Sequence, residues 1–107
     1  MSSEPDQIDA ETVKAWMDAG EAVVVDVRED DEVAAARIPG AVHLALSRFD
    51  PSQIPPHAGK KLVFSCASGM RSDHVARQLL LQGFVDQAAN LEGGIQAWAR
   101  AGLPVET

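Results

Sequence analysis

The stretch VFSCASGMRSDHVARQLL, residues 63–80, joins a predicted strand to a predicted helix through a short loop. Residues 62–65 form a short apolar run that is typical of a strand buried on both faces. Between residues 71 and 82 the apolar side chains recur at helical spacing, and Gly83 supplies the stop. A strand that runs directly into a helix is typical of a parallel α/β sheet.

The rest of the chain shows the same alternation of strands and helices. Residues 1–7 are polar and are expected to be flexible. The pattern predicts one small α/β domain over residues 1–107, with helices on both faces of a mostly parallel sheet. Trp16 and Trp98 are predicted to lie in its core. Further strands are predicted at 22–25, 41–44 and 88–91, and further helices after Asp9, over 30–36 and after Gly94.

The composition is that of an ordinary globular domain, and its charge is acidic. The 107 residues leave room for one domain, and 16 acidic against 9 basic residues give a net charge of −7. This charge repels phosphate backbones and anionic lipid, so neither nucleic acid nor a membrane is an expected partner. The chain has no apolar run of ~20 residues and no leader-like start, and its single cysteine fits a reducing compartment. We therefore expect a cytoplasmic monomer.

Cys66 directly follows a buried strand, at the sheet edge where α/β proteins place their ligands. Gly69 allows the amides of residues 67–72 to curl into a nest of N–H groups, while the helix start and Arg71 add positive potential. Such surroundings lower a cysteine pKa from about 8.5 to roughly 3.5–7.5, so Cys66 is predicted to be a nucleophile. The alternative is a buried structural thiol, which needs no glycine, arginine or helix start beside it.

Two charged residues follow the strand at 22–25 and lie at the same predicted sheet edge as Cys66. Asp26 is expected to accept hydrogen bonds from loop amides, and Arg28 to pair with a carboxylate such as Glu92. Both are assigned a supporting role rather than a catalytic one.

The three histidines do not form a ligand pattern. His43, His57 and His74 are scattered along the chain, and a single cysteine cannot complete a zinc site with them. His74 is expected on the exposed side of its helix, and His43 is interpreted as a hydrogen-bonded structural residue. Neither a metal nor a cofactor is expected.

Five segments occur in the order and spacing of a known family. These segments span nearly the whole chain, and through them the sequence resembles a single-domain rhodanese-like sulfurtransferase. The resemblance implies a small doubly wound α/β domain whose five-stranded, mostly parallel sheet carries helices on both faces. The matching segments are VVVDVREDDE at 23–32, RIPGAVHL at 37–44, CASGMRS at 66–72, LEGGIQAW at 91–98 and GLPV at 102–105.

The resemblance also implies a ping-pong reaction with Cys66 as the catalytic residue. Cys66 takes the outer sulfur of a donor such as thiosulfate or a persulfide, becomes a persulfide, and gives the sulfur to a thiol, to cyanide or to a protein acceptor. Arg71 is expected to attract the leaving anion, and Ser68 to donate a hydrogen bond. Arg37 and His43 stand where the family often has histidine and asparagine, which bears on donor preference. The implied active-site loop consists of Ala67, Ser68, Gly69, Met70, Arg71 and Ser72.

Two other functions remain open from the sequence. Relatives of this fold bind an oxyanion with Cys-x5-Arg as phosphatases or arsenate reductases, whereas four residues separate Cys66 from Arg71 here. The shorter loop favours a single sulfur over a tetrahedral phosphate. The other alternative is a sulfur carrier or protein-interaction module, and the surface around the loop decides between small-molecule and protein acceptors.

Overall fold

Strands and helices alternate throughout residues 4–107, the part of the chain that the computed structural model describes. Two short 3-10 helices, over 46–48 and 51–53, lie in the long connection before the central strand. The predicted α/β fold is confirmed. In chain order the main elements are β1 (Asp6–Ile8), α1 (Ala10–Asp18), β2 (Ala22–Asp26), α2 (Asp30–Ala35), β3 (Val42–His43), β4 (Lys61–Ser65), α3 (Met70–Leu81), β5 (Ala89–Leu91) and α4 (Gly94–Arg100).

The five strands within residues 4–107 form one sheet in the order β1-β5-β4-β2-β3. Every strand pair is parallel, so the sheet is parallel throughout rather than mostly so. The central position of β4 explains its apolar run, because a central strand is covered on both faces. Asp26 and Ser65 are register partners at the carboxyl ends of β2 and β4. Cys66, the next residue, therefore lies at the edge that the sequence predicts for a site.

The first strand corrects the sequence prediction for the start of the chain. Residues 1–7 are expected to be flexible, but Asp6–Ile8 form β1 and pair with β5. The pattern misses this strand because Asp6 and Gln7 are polar and exposed, as residues at a sheet edge often are. Positions 1–3 lie outside the described residues.

Helices cover both faces of the sheet, as predicted, and enclose two apolar cores. On one face α3 packs through Val75 against a cluster that includes Phe64. On the other face α1 and α4 pack through Val13 and Trp98. Trp98 is fully buried, whereas Trp16 is partly buried at the margin of the second core. Among the described residues, no helix is long and apolar enough to cross a bilayer.

The first turn of α4 lies against the backbone that carries Cys66. The Ile95 amide donates to the Cys66 carbonyl at 2.9 Å, and the Gln96 amide donates to the Ala67 carbonyl at 3.1 Å. This approach requires glycine at position 94, where φ is +58° and an added Cβ would lie 2.3 Å from the Cys66 carbonyl oxygen. An added Cβ at Gly93, where φ is +78°, would lie 2.6 Å from the Cβ of Ala97, so both glycines of the segment LEGGIQAW have a steric cause.

We expect Gly94→Ala to lower the free energy of unfolding by about 3 kcal/mol or more, because left-handed backbone strain and steric overlap with the Cys66 carbonyl add together. Gly102→Ala is the matched control, since Gly102 also has a positive φ, of +76°, but has nothing within 4 Å of the added Cβ. That variant should lose about 1 kcal/mol. Urea denaturation of both variants measures the difference, and equal losses would contradict the steric argument.

Candidate active site

The loop between β4 and α3 wraps its amides around the sulfur of Cys66. The Gly69 amide donates to Sγ at 3.1 Å, and the Ser72 amide and hydroxyl lie 3.4 and 3.3 Å from it. Gly69 directly precedes α3 and has a φ of +93°, a left-handed conformation that favours glycine. An added Cβ at Gly69 would lie 3.0 Å from the Gly93 amide nitrogen, so the space above the loop also requires glycine.

Cys66 is fully buried, yet its surroundings are polar enough to hold a charge. Burial raises the pKa of the Cys66 thiol, but hydrogen bonds from Ser72 and from the amides of Gly69 and Ser68 lower it, and the resulting pKa lies below the ordinary value. An apolar core thiol would show only the first of these effects. The geometry therefore fits the prediction of a nest that stabilises an anionic sulfur.

Arg71 is held by a carboxylate that sequence reasoning did not single out. Its guanidinium donates two parallel hydrogen bonds of 2.8 Å to the carboxylate of Glu32, on α2. The hydrogen bond from Arg71 and a second from the Glu29 amide lower the pKa of Glu32 to about 2, so Glu32 is ionised at neutral pH. Glu32 chiefly, and the nearby Cys66 to a lesser degree, raise the pKa of Arg71. The positive charge predicted beside the sulfur is present, but it is paired.

Asp26 and Arg28 form a buried ion pair, with Nη2 of Arg28 2.8 Å from Oδ2 of Asp26. Arg28 also donates to the carbonyls of Ala36, at 2.7 Å, and Glu32, at 3.3 Å, and so ties α2 to the end of β2. The predicted pairing of Arg28 with Glu92 is wrong, because the Arg28 guanidinium is paired with the buried carboxylate of Asp26. Asp26 accepts from the Arg28 amide, as expected of a loop-holding carboxylate.

The serine whose hydroxyl reaches the sulfur is Ser72. The side chain of Ser68 is exposed, and its backbone amide contributes a hydrogen bond that lowers the pKa of Cys66. Ser72 in turn lies 2.6 Å from Oδ1 of Asn90, a buried residue of β5. Sequence reasoning missed Asn90, although an asparagine inside a short apolar strand is a signal that could have found it.

The remaining loop residues differ in exposure. The Ala67 carbonyl is bound by α4, as described above, whereas Met70 begins α3 with 77% of its surface exposed. Met70 thus places an apolar side chain at the rim of the loop.

His43, His57 and Arg37 each contact groups other than the Cys66 sulfur. His43 lies 2.6 Å from the Arg28 carbonyl, which agrees with its structural interpretation. His74 is exposed, as predicted, and His57 contacts the Pro55 carbonyl. Arg37 pairs with Glu106 near the end of the chain.

The family model for the rhodanese-like domain matches residues 9–101, and the chain belongs to this family. It is 40% identical over 93 residues to the putative sulfurtransferase YtwF of Bacillus subtilis, covering 86% of this chain and 88% of that protein. It is 33% identical over 96 residues to the thiosulfate sulfurtransferase GlpE of Actinobacillus succinogenes, covering 88% and 86%. These relatives support a sulfurtransferase of the rhodanese type.

Two further relatives have no established activity in their names. An uncharacterized Synechocystis protein is 45% identical over 82 residues, which are 77% of this chain and 45% of that protein. The chain therefore spans less than half the length of that relative. A solved structure from Rhodopseudomonas palustris, described as a possible tyrosine phosphatase of unknown function, has a TM-score of 0.80 at 28% identity and covers 95% of this chain and 85% of its own. The fold is shared by proteins to which different activities have been attributed.

In the folded protein we expect the Cys66 thiol to ionise at a lower pH than in the protein unfolded by urea. The ultraviolet absorbance of the thiolate, followed against pH, gives the midpoint of ionisation in the folded and in the unfolded protein, with Cys66→Ser as the blank. The sequence has no tyrosine whose ionisation would overlap this signal. Because the folded pKa is the lower one, the thiolate adds stability above the unfolded pKa and this contribution is lost as pH falls through the folded pKa. A folded midpoint at or above the unfolded one would contradict the role of the amide nest.

Proposed function

We propose that the protein is a sulfurtransferase in which Cys66 carries the transferred sulfur as a persulfide. The observation that carries this proposal is that the amides of Gly69 and Ser72 both donate to the buried sulfur of Cys66. Such donors stabilise the thiolate that attacks, and they favour an anionic sulfur over a neutral one. The matched family and its sulfurtransferase relatives support the same reaction.

The proposed reaction has two half-reactions that balance in charge. The Cys66 thiolate attacks the outer sulfur of thiosulfate, a new S–S bond forms, and the electron pair of the broken S–S bond leaves with sulfite. Cyanide or an acceptor thiolate then attacks the outer sulfur of the persulfide, and Cys66 returns as a thiolate. An organic persulfide is an alternative donor, and a protein thiol an alternative acceptor. A lone thiol that must stay reduced fits the cytoplasm, where we place the protein.

The phosphatase alternative is less well supported by this site. Phosphate recognition by Cys-x5-Arg enzymes uses the arginine fork on the oxyanion, whereas both arms of the Arg71 fork are bound to Glu32. The interior of the loop is filled by Sγ itself, at 3.1 Å from the Gly69 amide. These contacts leave little reason to expect a tetrahedral oxyanion there.

Incubation with thiosulfate is expected to add the mass of one sulfur atom to the protein, and cyanide is expected to remove it. Cys66→Ser should show no gain, because the chain has no second cysteine to carry the sulfur. Intact-mass measurement of both proteins provides the test, with circular dichroism to show that the variant is folded. No gain with any sulfane-sulfur donor, together with hydrolysis of an aryl phosphate, would replace this proposal with the phosphatase.

Glu32→Gln is expected to lower the KM for thiosulfate by about tenfold or more, because a neutral amide with one acceptor oxygen holds Arg71 less tightly and lets it make a charge-assisted hydrogen bond of roughly 1.5–3 kcal/mol to the donor anion. Asp31→Asn is the matched control. Asp31 lies on the same helix, is exposed, and its substitution changes the net charge equally without touching Arg71. Steady-state kinetics should separate the two variants. Equal KM values, or a rise in Glu32→Gln, would show that the ion pair only holds the loop.

A further inference from the structure

A row of hydrogen-bonded polar side chains connects the surface of the protein to the sulfur of Cys66. The Gln7 amide nitrogen donates to Asp73 at 2.7 Å, and the Gln7 oxygen accepts from Asn90 at 2.9 Å. Asn90 Oδ1 lies 2.6 Å from the Ser72 hydroxyl, which lies 3.3 Å from Sγ. Asn90 and Ser72 are buried, so water does not compete for these contacts.

The direction of each hydrogen bond in this row is fixed by Asp73, the residue at its exposed end. A carboxylate only accepts, so Asp73 orients the Gln7 amide with its oxygen toward Asn90. Asn90 Nδ2 then faces two acceptors, the Gln7 oxygen and the Gly69 carbonyl at 3.0 Å. Reversal of the Asn90 amide would place oxygen against oxygen at both contacts. Its Oδ1 must therefore face Ser72 as an acceptor.

The Ser72 hydroxyl has one proton and two acceptors within reach. The contact with Asn90 is short, 2.6 Å, and its geometry is that of a strong hydrogen bond. With the proton in that contact, the oxygen lone pairs of Ser72 are left for Cys66, and they suit a thiol S–H donor. A thiolate at Cys66 can accept a hydrogen bond from Ser72 only if the Ser72 hydroxyl oxygen and Asn90 Oδ1 are left 2.6 Å apart with no hydrogen between them.

We infer that Asn90 restrains the ionisation of Cys66 by competing with its sulfur for the single proton of Ser72. Asn90 is then a positioning residue, since it acts on the nucleophile through Ser72 without touching it. The effect on the ionisation of Cys66 does not depend on the proposed function; only its consequence for the rate of sulfur transfer rests on that function. In the proposed persulfide the inner sulfur is uncharged, so the Ser72 hydroxyl donates to Asn90, and the competition for its proton is confined to the thiolate.

The test compares Asn90→Leu with Asn90→Asp by thiolate absorbance against pH. Both variants lose the donation to Gly69 and Gln7, but only leucine removes the acceptor for the Ser72 proton. We expect Asn90→Leu to increase the ionisation constant of Cys66 about tenfold relative to the wild type, and Asn90→Asp to decrease it. A decrease in Asn90→Leu as well would show that Asn90 merely holds the loop, and would overturn the inference.

Ser72→Ala, made alone and together with Asn90→Leu, completes a double-mutant cycle. It is expected to lower the ionisation constant of Cys66 strongly in the Asn90→Leu background, where the hydroxyl is free to donate, and only slightly in the wild type. Equal effects in both backgrounds would also overturn the inference. These titrations need no sulfur donor, so they succeed or fail independently of the persulfide test.

A measurement on the wild type covers the case in which the Asn90 variants do not fold. The chain has one cysteine, so the infrared S–H stretching band arises from Cys66 alone. Below the thiol pKa we expect this band at lower frequency in the wild type than in Ser72→Ala, because the S–H group donates to the Ser72 oxygen. Identical bands would show that the Ser72 proton points to the sulfur, contrary to the inference.

Discussion

The amide nest depends on the contact between the loop and the first turn of α4. A peptide group points its N–H and C=O in opposite directions, so a loop that turns its amides toward a sulfur turns its carbonyls outward. Here the Ala67 carbonyl, which shares its peptide group with the Ser68 amide, accepts from the Gln96 amide, and the neighbouring Cys66 carbonyl accepts from the Ile95 amide. Gly94 makes the approach possible. The cysteine loop and the paired glycines are therefore one structural unit, although they are separated along the chain.

A second set of contacts holds the loop from the side of α2. Arg28 joins the end of β2 to α2 through carbonyl contacts, and α2 presents Glu32 to Arg71. The buried pair of Arg28 with Asp26 is thus part of the site's support, at a distance from the sulfur. Since both partners of that pair are desolvated, losing one would leave an uncompensated charge, which makes the pair hard to change singly.

The parts of this structure that local pattern controls could be predicted from the sequence. The apolar runs and glycine stops located the central strands and helices, and the order of Cys66 and Gly69 between a strand and a helix located the nest. The contacts of Glu32 and Asn90 could not be predicted in the same way, because their partners lie far along the chain and meet only in the folded sheet. β1 was missed since an edge strand of three polar or half-buried residues has no apolar period.

The burial of Cys66 has a consequence for the regiochemistry of the proposed reaction. A persulfide contains two electrophilic sulfurs about 2.05 Å apart, and a thiol that strikes the inner one forms a mixed disulfide and releases sulfide. Sγ of Cys66, which would be the inner sulfur of the proposed persulfide, is buried and is contacted by Gly69 and Ser72. The outer sulfur, one bond further from the nest, is the atom that an acceptor meets first. If Cys66 carries the sulfur as proposed, the loop therefore favours attack at the outer sulfur over formation of a mixed disulfide.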